Sequence, residues 1–187
     1  MNCKSPFLFF GLALVATLTS CHDAHDQNDS AQLAHIRNEE NFGTRDSEND
    51  AEFVVRSVQN SYASVKFARL AKIRSTDRNL KSIAAKMEED NAENLDELRH
   101  IAFKKGIAIP VQESRDAKDD MRDLSEGMEA DFNQDWVKLL IQQYKKSIHE
   151  FESVAEKTTD TELKVWINQS LPEFKRDLDQ LQSYSSK

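Results

Sequence analysis

Residues 80–102 read LKSIAAKMEEDNAENLDELRHIA, and their apolar side chains recur with the alternating four-and-three spacing of an α-helix. This apolar seam consists of Leu80, Ala84, Met87, Leu98, Ile101 and Ala102. Charged side chains fill the opposite face, so the stretch predicts an amphipathic helix with one side to bury. Asn91 and Asn94 lie on or beside the seam, where a helical bundle usually places leucine, or glutamate and histidine if it binds metal.

The composition of the whole chain also favours a helical protein. Its 187 residues are 39% hydrophobic and 31% charged, which suits one globular domain with a tail. Four glycines and three prolines leave little material for the turns of a β-rich fold. The net charge of -8 argues against a nucleic-acid partner, because neutralisation of phosphates supplies most of that kind of affinity.

Residues 1–20 have the pattern of a signal peptide. Lys4 precedes an apolar run, Phe7 to Leu18, that is shorter than the roughly 20 residues of a membrane-spanning helix. The tetrapeptide that follows, Leu18-Thr19-Ser20-Cys21, resembles the lipobox of bacterial lipoproteins, in which the cysteine is lipidated and becomes the first mature residue. The sequence therefore predicts a lipid-anchored protein of the bacterial cell envelope, with the outer membrane as its expected location. The alternative is an ordinary secretory peptide in which Cys21 is incidental.

Residues 21–49 are polar and rich in Asp, Asn, Glu and Ser, with no sustained apolar period. We predict a lipidated Cys21 followed by a flexible acidic tether, with at most one weak helical turn around residues 33–36. Three of the five histidines, His22, His25 and His35, fall in this segment. They could bind a transition metal loosely, but solvated linker histidines are the simpler interpretation.

Residues 50–184 contain four long amphipathic segments and one short one. The apolar periodicity predicts long helices over about 51–73, 80–105, 131–157 and from 161 onward, with a short helix at 115–125 before the third. Asp50 and Asp77 are possible N-caps, and residues 159–162 have the form of a capping box. Pro172 predicts a kink near Ser170 in the last helix. Four helices with one longer crossing are compatible with a ferritin-like bundle.

Short motifs across this domain resemble the domain-of-unknown-function family four-one-four-two, whose members are bacterial envelope proteins with an assigned ferritin-like fold. The matching segments are Leu70-Ala71-Lys72, Met87-Glu88-Glu89-Asp90, residues 106–110, Gly127 with Asp131-Phe132, and Leu171-Pro172-Glu173-Phe174. The family pattern carries a Glu in the first long helix and a His in each later one. In this sequence those places fall on Ser64, Asn91, Tyr144 and Asp177.

Metal chemistry has few candidate residues in the predicted bundle. A dinuclear site needs several inward carboxylates and histidines, typically as two Glu-x-x-His pairs. One such pair exists, Glu97 with His100, but Glu97 falls on the polar face, and His149 lies one position off its seam. Acidic runs such as Glu88-Glu89-Asp90 and Asp119-Asp120 are most simply a solvated face, with weak divalent-cation binding as a second interpretation. We therefore predict no metal and no other cofactor.

The residues that replace the family's ligands form a candidate polar cluster in the core. We predict that Asn91, Tyr144 and Asp177 meet inside the bundle and hydrogen-bond to one another or to water, with Ser64 nearby and Asp177 at the edge of its seam. No nucleophile motif or phosphate-binding loop is present in the sequence. The prediction is therefore a non-catalytic binding or structural bundle, anchored to a membrane by its lipid, with an unidentified protein or small-molecule partner.

Two alternatives remain open at this point. One is a divergent metal-dependent oxidase or metal-storage bundle. The other is a binder of a small apolar molecule, which would need a cavity near Asn91 and Tyr144.

Overall fold

The computed structural model describes residues 29–186, which form six α-helices and no β-strand. The helices are α1 (Asp29–Asn41), α2 (Arg45–Arg74), α3 (Arg78–Lys105), α4 (Arg115–Glu126), α5 (Phe132–Lys157) and α6 (Thr161–Ser185). The predicted all-α class, with a short helix before the third long one, is confirmed. The predicted signal peptide and Cys21 lie outside the described residues. Within the described chain, no helix is both long and apolar enough to cross a membrane.

The four long helices form a four-cornered bundle of two antiparallel hairpins, α2 with α3 and α5 with α6. Thr158, just after α5, donates a 2.8 Å hydrogen bond to Asp50 near the start of α2. At the opposite end, the guanidinium of Arg74, the last residue of α2, lies 5.0 Å from the ring centroid of Phe132, the first residue of α5. Helices α2 and α5 are therefore antiparallel, and α3 and α5 run in the same direction. The connection through α4 must cross the length of the bundle, which is the single long crossover of ferritin-like folds.

Local sequence signals fix the ends of α3. Asp77 caps its N-terminus by accepting hydrogen bonds from the backbone amides of Asn79 and Leu80, at 2.7 and 3.3 Å. Gly106 ends it in the left-handed conformation, with a φ of 67°, where a residue without Cβ is favoured. Both ends agree with the sequence prediction.

The core consists of the apolar seams of the four long helices. At one level along the bundle, aromatic rings from α2, α5 and α6 pack into a cluster. Phe151 stacks edge-on against Phe53 and Phe174, with ring centroids 5.0 and 4.9 Å apart, and lies 5.4 Å from Trp166. Trp136, at another level of α5, is fully buried and donates from its indole to the carbonyl of Phe67. Each long helix other than α3 contributes at least one ring to this packing, which fixes the helices relative to one another.

The predicted flexible tether is wrong for residues 29–49. Helix α1 spans Asp29–Asn41, and α2 begins at Arg45, capped by Thr44, rather than near Ala51. Asn38 of α1 is buried and forms two hydrogen bonds with the backbone of Ala108, at 2.9 and 2.7 Å. These bonds dock α1 on the loop after α3, so the folded unit includes it.

Two further details of helix ends differ from the sequence prediction. Asp50 is not a cap but lies inside α2, where it accepts from Thr158. Asp160 is the N-cap of α6, accepting from the amide of Leu163 at 2.9 Å.

Pro172 lies within an unbroken α6. Asn168, whose carbonyl loses its helical donor to Pro172, is exposed, so water can supply a replacement.

Candidate functional site

A polar layer crosses the middle of the bundle, where α3, α5 and α6 meet. Asn91 donates from Nδ2 to the hydroxyl of Tyr144 at 2.9 Å and to the carbonyl of Met87 at 2.8 Å. The Tyr144 hydroxyl in turn donates to Asp177 Oδ2 at 3.3 Å. Asn91, Tyr144 and Asp177 are all buried. The structure thus brings together three of the four predicted cluster residues in one hydrogen-bonded chain.

Asp177 is more deeply buried than the sequence predicted, since it was expected at the edge of its seam. It is 1% exposed rather than at an edge, and its Oδ1 accepts no hydrogen bond from the described residues. The nearest cation is Arg176, whose Nη2 lies 3.6 Å from that oxygen. Burial, with repulsion from Asp90, raises the pKa of the Asp177 carboxyl to about 6, and the Arg176 guanidinium and Tyr144 hydroxyl only partly offset the shift.

Desolvation also has the largest effect on the pKa of Tyr144. Burial and the nearby Asp177 carboxylate raise the pKa of the Tyr144 phenol well above its usual value. The hydroxyl therefore stays protonated and acts as a hydrogen-bond donor. Such a phenol is unsuited to metal ligation or proton abstraction at neutral pH.

Asp90 is a site residue that sequence reasoning missed. It was assigned to a solvated face with Glu88 and Glu89, but it is 5% exposed. Arg176 of α6 donates to its Oδ2 at 2.8 Å, and Lys86 forms an ion pair with its Oδ1. The only sequence signal was its spacing, three residues after Met87 and four before Asn94, which places it beside the seam of α3.

A second polar contact lies one turn further along α3. Ser170 donates from its hydroxyl to Asn94 Oδ1 at 3.1 Å, and Asn94 Nδ2 donates to the carbonyl of Asp90 at 3.0 Å. Both side chains are buried and satisfied, so this contact joins α3 to α6 without leaving a group for a ligand.

A cleft of about 430 Å³ lies between α2, α4 and α5 and reaches the polar layer. Asn91 and Tyr144 line it, and so does Ser64, the fourth predicted cluster residue, which is partly buried. No hydrogen bond joins Ser64 to the other three within the described residues, so it belongs to the cleft wall. Hydroxyl and amide side chains supply most of the other polar lining: Ser57, Gln59, Asn60, Ser61, Ser114, Gln143 and Ser147.

The donor set does not fit the dinuclear metal site that a ferritin-like fold implies. The four residues at the ligand positions offer one carboxylate, one amide and two hydroxyls, where hard cations need several carboxylates and histidines. In the described part of the chain, no three His, Cys, Asp or Glu side chains come together as a possible metal site. His100 and His149 are exposed, and Glu97 accepts from the Trp166 indole at 3.0 Å.

Comparison with known protein families gives one match. A family model described as Domain of unknown function (DUF4142) matches residues 37–184, which cover the four long helices, the crossover and the end of α1. The chain belongs to this family. DUF4142 membership confirms the resemblance drawn from the short motifs of the sequence. No curated protein matches the chain, and no solved structure does either.

Proposed function

We propose that this DUF4142 protein is a lipid-anchored component of the bacterial envelope, located at the outer membrane, and that its bundle acts by binding rather than by catalysis. The observation that carries the binding role is the cleft between α2, α4 and α5, with Asn91 and Tyr144 at its inner end. Its volume of about 430 Å³ lies within the usual range for small-molecule sites. The partner in this proposal is a small molecule.

The chemistry of the cleft supports binding more than turnover. The buried phenol of Tyr144 is held in its protonated form, and the Asn91 amide is fixed by two hydrogen bonds. Neither group is a nucleophile or a proton acceptor poised near neutral pH. The polar lining also favours a polar ligand over the apolar molecule considered from sequence, because its hydroxyls and amides would lose water without gaining partners.

The lipid anchor rests on Leu18-Thr19-Ser20-Cys21 and is tested by membrane fractionation. Acyl chains contribute roughly 0.8 kcal/mol per buried CH₂, so two or three of them hold a protein on a bilayer. We expect Cys21→Ala to move the protein from the membrane fraction to the soluble fraction. Cys3→Ala is the matched control, because Cys3 lies in the segment predicted to be removed, and it should leave the distribution unchanged. Membrane association that survives Cys21→Ala would exclude this anchor.

Metal analysis distinguishes the proposed small-molecule binding from the alternative, a metal-dependent oxidase or metal-storage bundle. We expect protein purified without added metal to contain iron, manganese and zinc well below one atom per chain. A stoichiometric metal that disappears in Asn91→Leu would establish the metal-dependent function instead.

A further inference from the structure

The cleft beside the polar layer carries an inference about the class of its ligand, and this inference rests on the proposed binding function. We propose that the cleft binds a small aliphatic amine, such as a linear diamine, with an ammonium group held at Asp120 on the α4 wall. Four features support this ligand: the charge of the α4 wall, the pairing of Arg56 on the opposite wall, the excess of oxygen acceptors and the aromatic inner end.

The α4 wall of the cleft carries two carboxylates that form no ion pair with the described residues. Asp116 and Asp120 both line the cleft. Asp120 accepts one long hydrogen bond, 3.4 Å from Gln143 Nε2, and burial together with the neighbouring Asp116 and Asp123 raises the pKa of its carboxyl. A ligand cation at this wall would supply the opposite charge that Asp120 lacks.

On the opposite wall, Arg56 is already paired with carboxylates. Arg56 of α2 donates from Nε to Glu150 of α5 at 2.7 Å and also contacts Glu52 at 3.4 Å. This arginine is therefore engaged by two carboxylates and is a poor site for an anionic ligand. Lys146 also lines the cleft, but its side chain is exposed, so water screens its repulsion toward a bound cation.

Between these walls, oxygen acceptors and aromatic rings line the path inward. Ser61, Ser64 and Ser147 present hydroxyls, which can accept hydrogen bonds from an ammonium. The Asn91 amide nitrogen is committed to Met87 and Tyr144, which leaves its carbonyl oxygen as the group to receive a donor. Tyr144, Phe151 and Phe174 line the inner end, and aromatic faces attract cations and pack against methylene chains.

Three probes of equal length test the ligand class by titration calorimetry on the full chain: putrescine, 1,4-butanediol and succinate. Each has a four-carbon chain, and they differ in carrying two ammonium, two hydroxyl or two carboxylate groups. We expect saturable binding of putrescine with one site per chain, weaker binding of the diol, and no binding of succinate. Equal or tighter binding of the diol or succinate would overturn the amine assignment while leaving a binding role for the cleft.

Two adjacent variants on α4 then locate the site. Asp120→Asn should weaken putrescine binding roughly tenfold or more, the usual effect of losing one charge-assisted hydrogen bond. Asp119→Asn is the matched control, because Asp119 pairs with Arg122 at 2.8 Å and is not part of the cleft lining. Equal weakening in both variants would indicate a general charge effect and would overturn the assignment to Asp120.

The inference and the proposed function fail by different results. Absence of binding by all three probes would overturn the amine-binding inference. The proposed function would instead be overturned by stoichiometric metal or by membrane association that does not need Cys21.

Discussion

Asp90 and Asp177 are both buried carboxylates, but they differ in the number of cations and hydrogen-bond donors around them. Asp90 lies between α3 and α6 at the edge of the bundle, where Arg176 and Lys86 both reach it from partly solvated positions. Asp177 lies on the inner side of α6, with a 3.3 Å hydrogen bond from Tyr144 and one oxygen that accepts none. The two side chains are almost equally inaccessible, at 5% and 1% exposed.

The difference shows that two equally buried carboxylates can have very different access to neighbouring cations. At Asp90, flexible cations satisfy the charge and keep their own contact with water. At Asp177, the same Arg176 lies 3.6 Å away and is shared with Asp90, so desolvation prevails and the pKa rises to about 6. The charge of Asp177 should therefore destabilise the fold near neutral pH.

The largest expected effect is on the pH dependence of stability at Asp177. Its folded pKa of about 6 exceeds the usual 3.8, so the folded state binds more protons between these values and the stability falls as pH rises. At pH 7 this costs about 3 kcal/mol of the free energy of unfolding. Asp177→Asn should remove that cost and be more stable than the natural protein at pH 7, but not at pH 4.

Chemical denaturation at a series of pH values measures this effect. The free energy of unfolding of the natural protein, minus that of Asp177→Asn, should fall between about pH 4 and pH 7. Titrating groups that do not interact with Asp177 cancel in this difference. If this difference in the free energy of unfolding stays constant or rises from pH 4 to pH 7, the charge of Asp177 does not destabilise the fold.

A smaller effect is expected at Asp90. Asp90→Asn should lower the free energy of unfolding at neutral pH by about 1–2 kcal/mol, because the released Arg176 and Lys86 remain partly solvated. The same change removes the repulsion that acts on Asp177 and frees Arg176 to approach it. The pKa of Asp177 should therefore fall, which carboxyl NMR titration can measure. An unchanged Asp177 pKa would show that the two regions are independent.

The smallest effect is expected at Asn91. Asn91→Leu should leave the fold intact and change the free energy of unfolding by less than about 1 kcal/mol, because Tyr144 can still donate to Asp177. Circular dichroism and thermal denaturation measure this change. A loss of several kcal/mol would show that the Asn91 amide is essential to the polar layer.

Much of the fold could be predicted from local patterns. The seam of α3, its Asp77 cap and its end at Gly106 depend on spacing and on residues within a few positions of each other. The inward placement of Asn91 and Tyr144 follows from the same periodicity. Their hydrogen bond was a reasonable prediction because buried polar groups must find partners.

The errors lie where contacts distant in sequence decide the structure. Helix α1 has few apolar residues, and it is held by hydrogen bonds between Asn38 and Ala108, 70 positions away. Asp90 was assigned to the solvated face because its burial depends on Arg176, 86 positions away. The cleft also depends on where α4 crosses α2 and α5, which no local pattern of α4 specifies.

The crossover through α4 has a consequence for folding. Each hairpin, α2 with α3 and α5 with α6, pairs helices that are consecutive in the chain and should form early. Docking of one hairpin on the other must close a longer loop. The hydrogen bond from Asn91 to Tyr144 joins the two hairpins, so it forms only when they dock in the correct register. The bond from Tyr144 to Asp177 lies within the second hairpin. A slip of one hairpin against the other by one helical turn would leave the Asn91 amide buried without this partner. The polar layer therefore selects the native alignment against misregistered ones, at the cost of the stability that Asp177 loses near neutral pH.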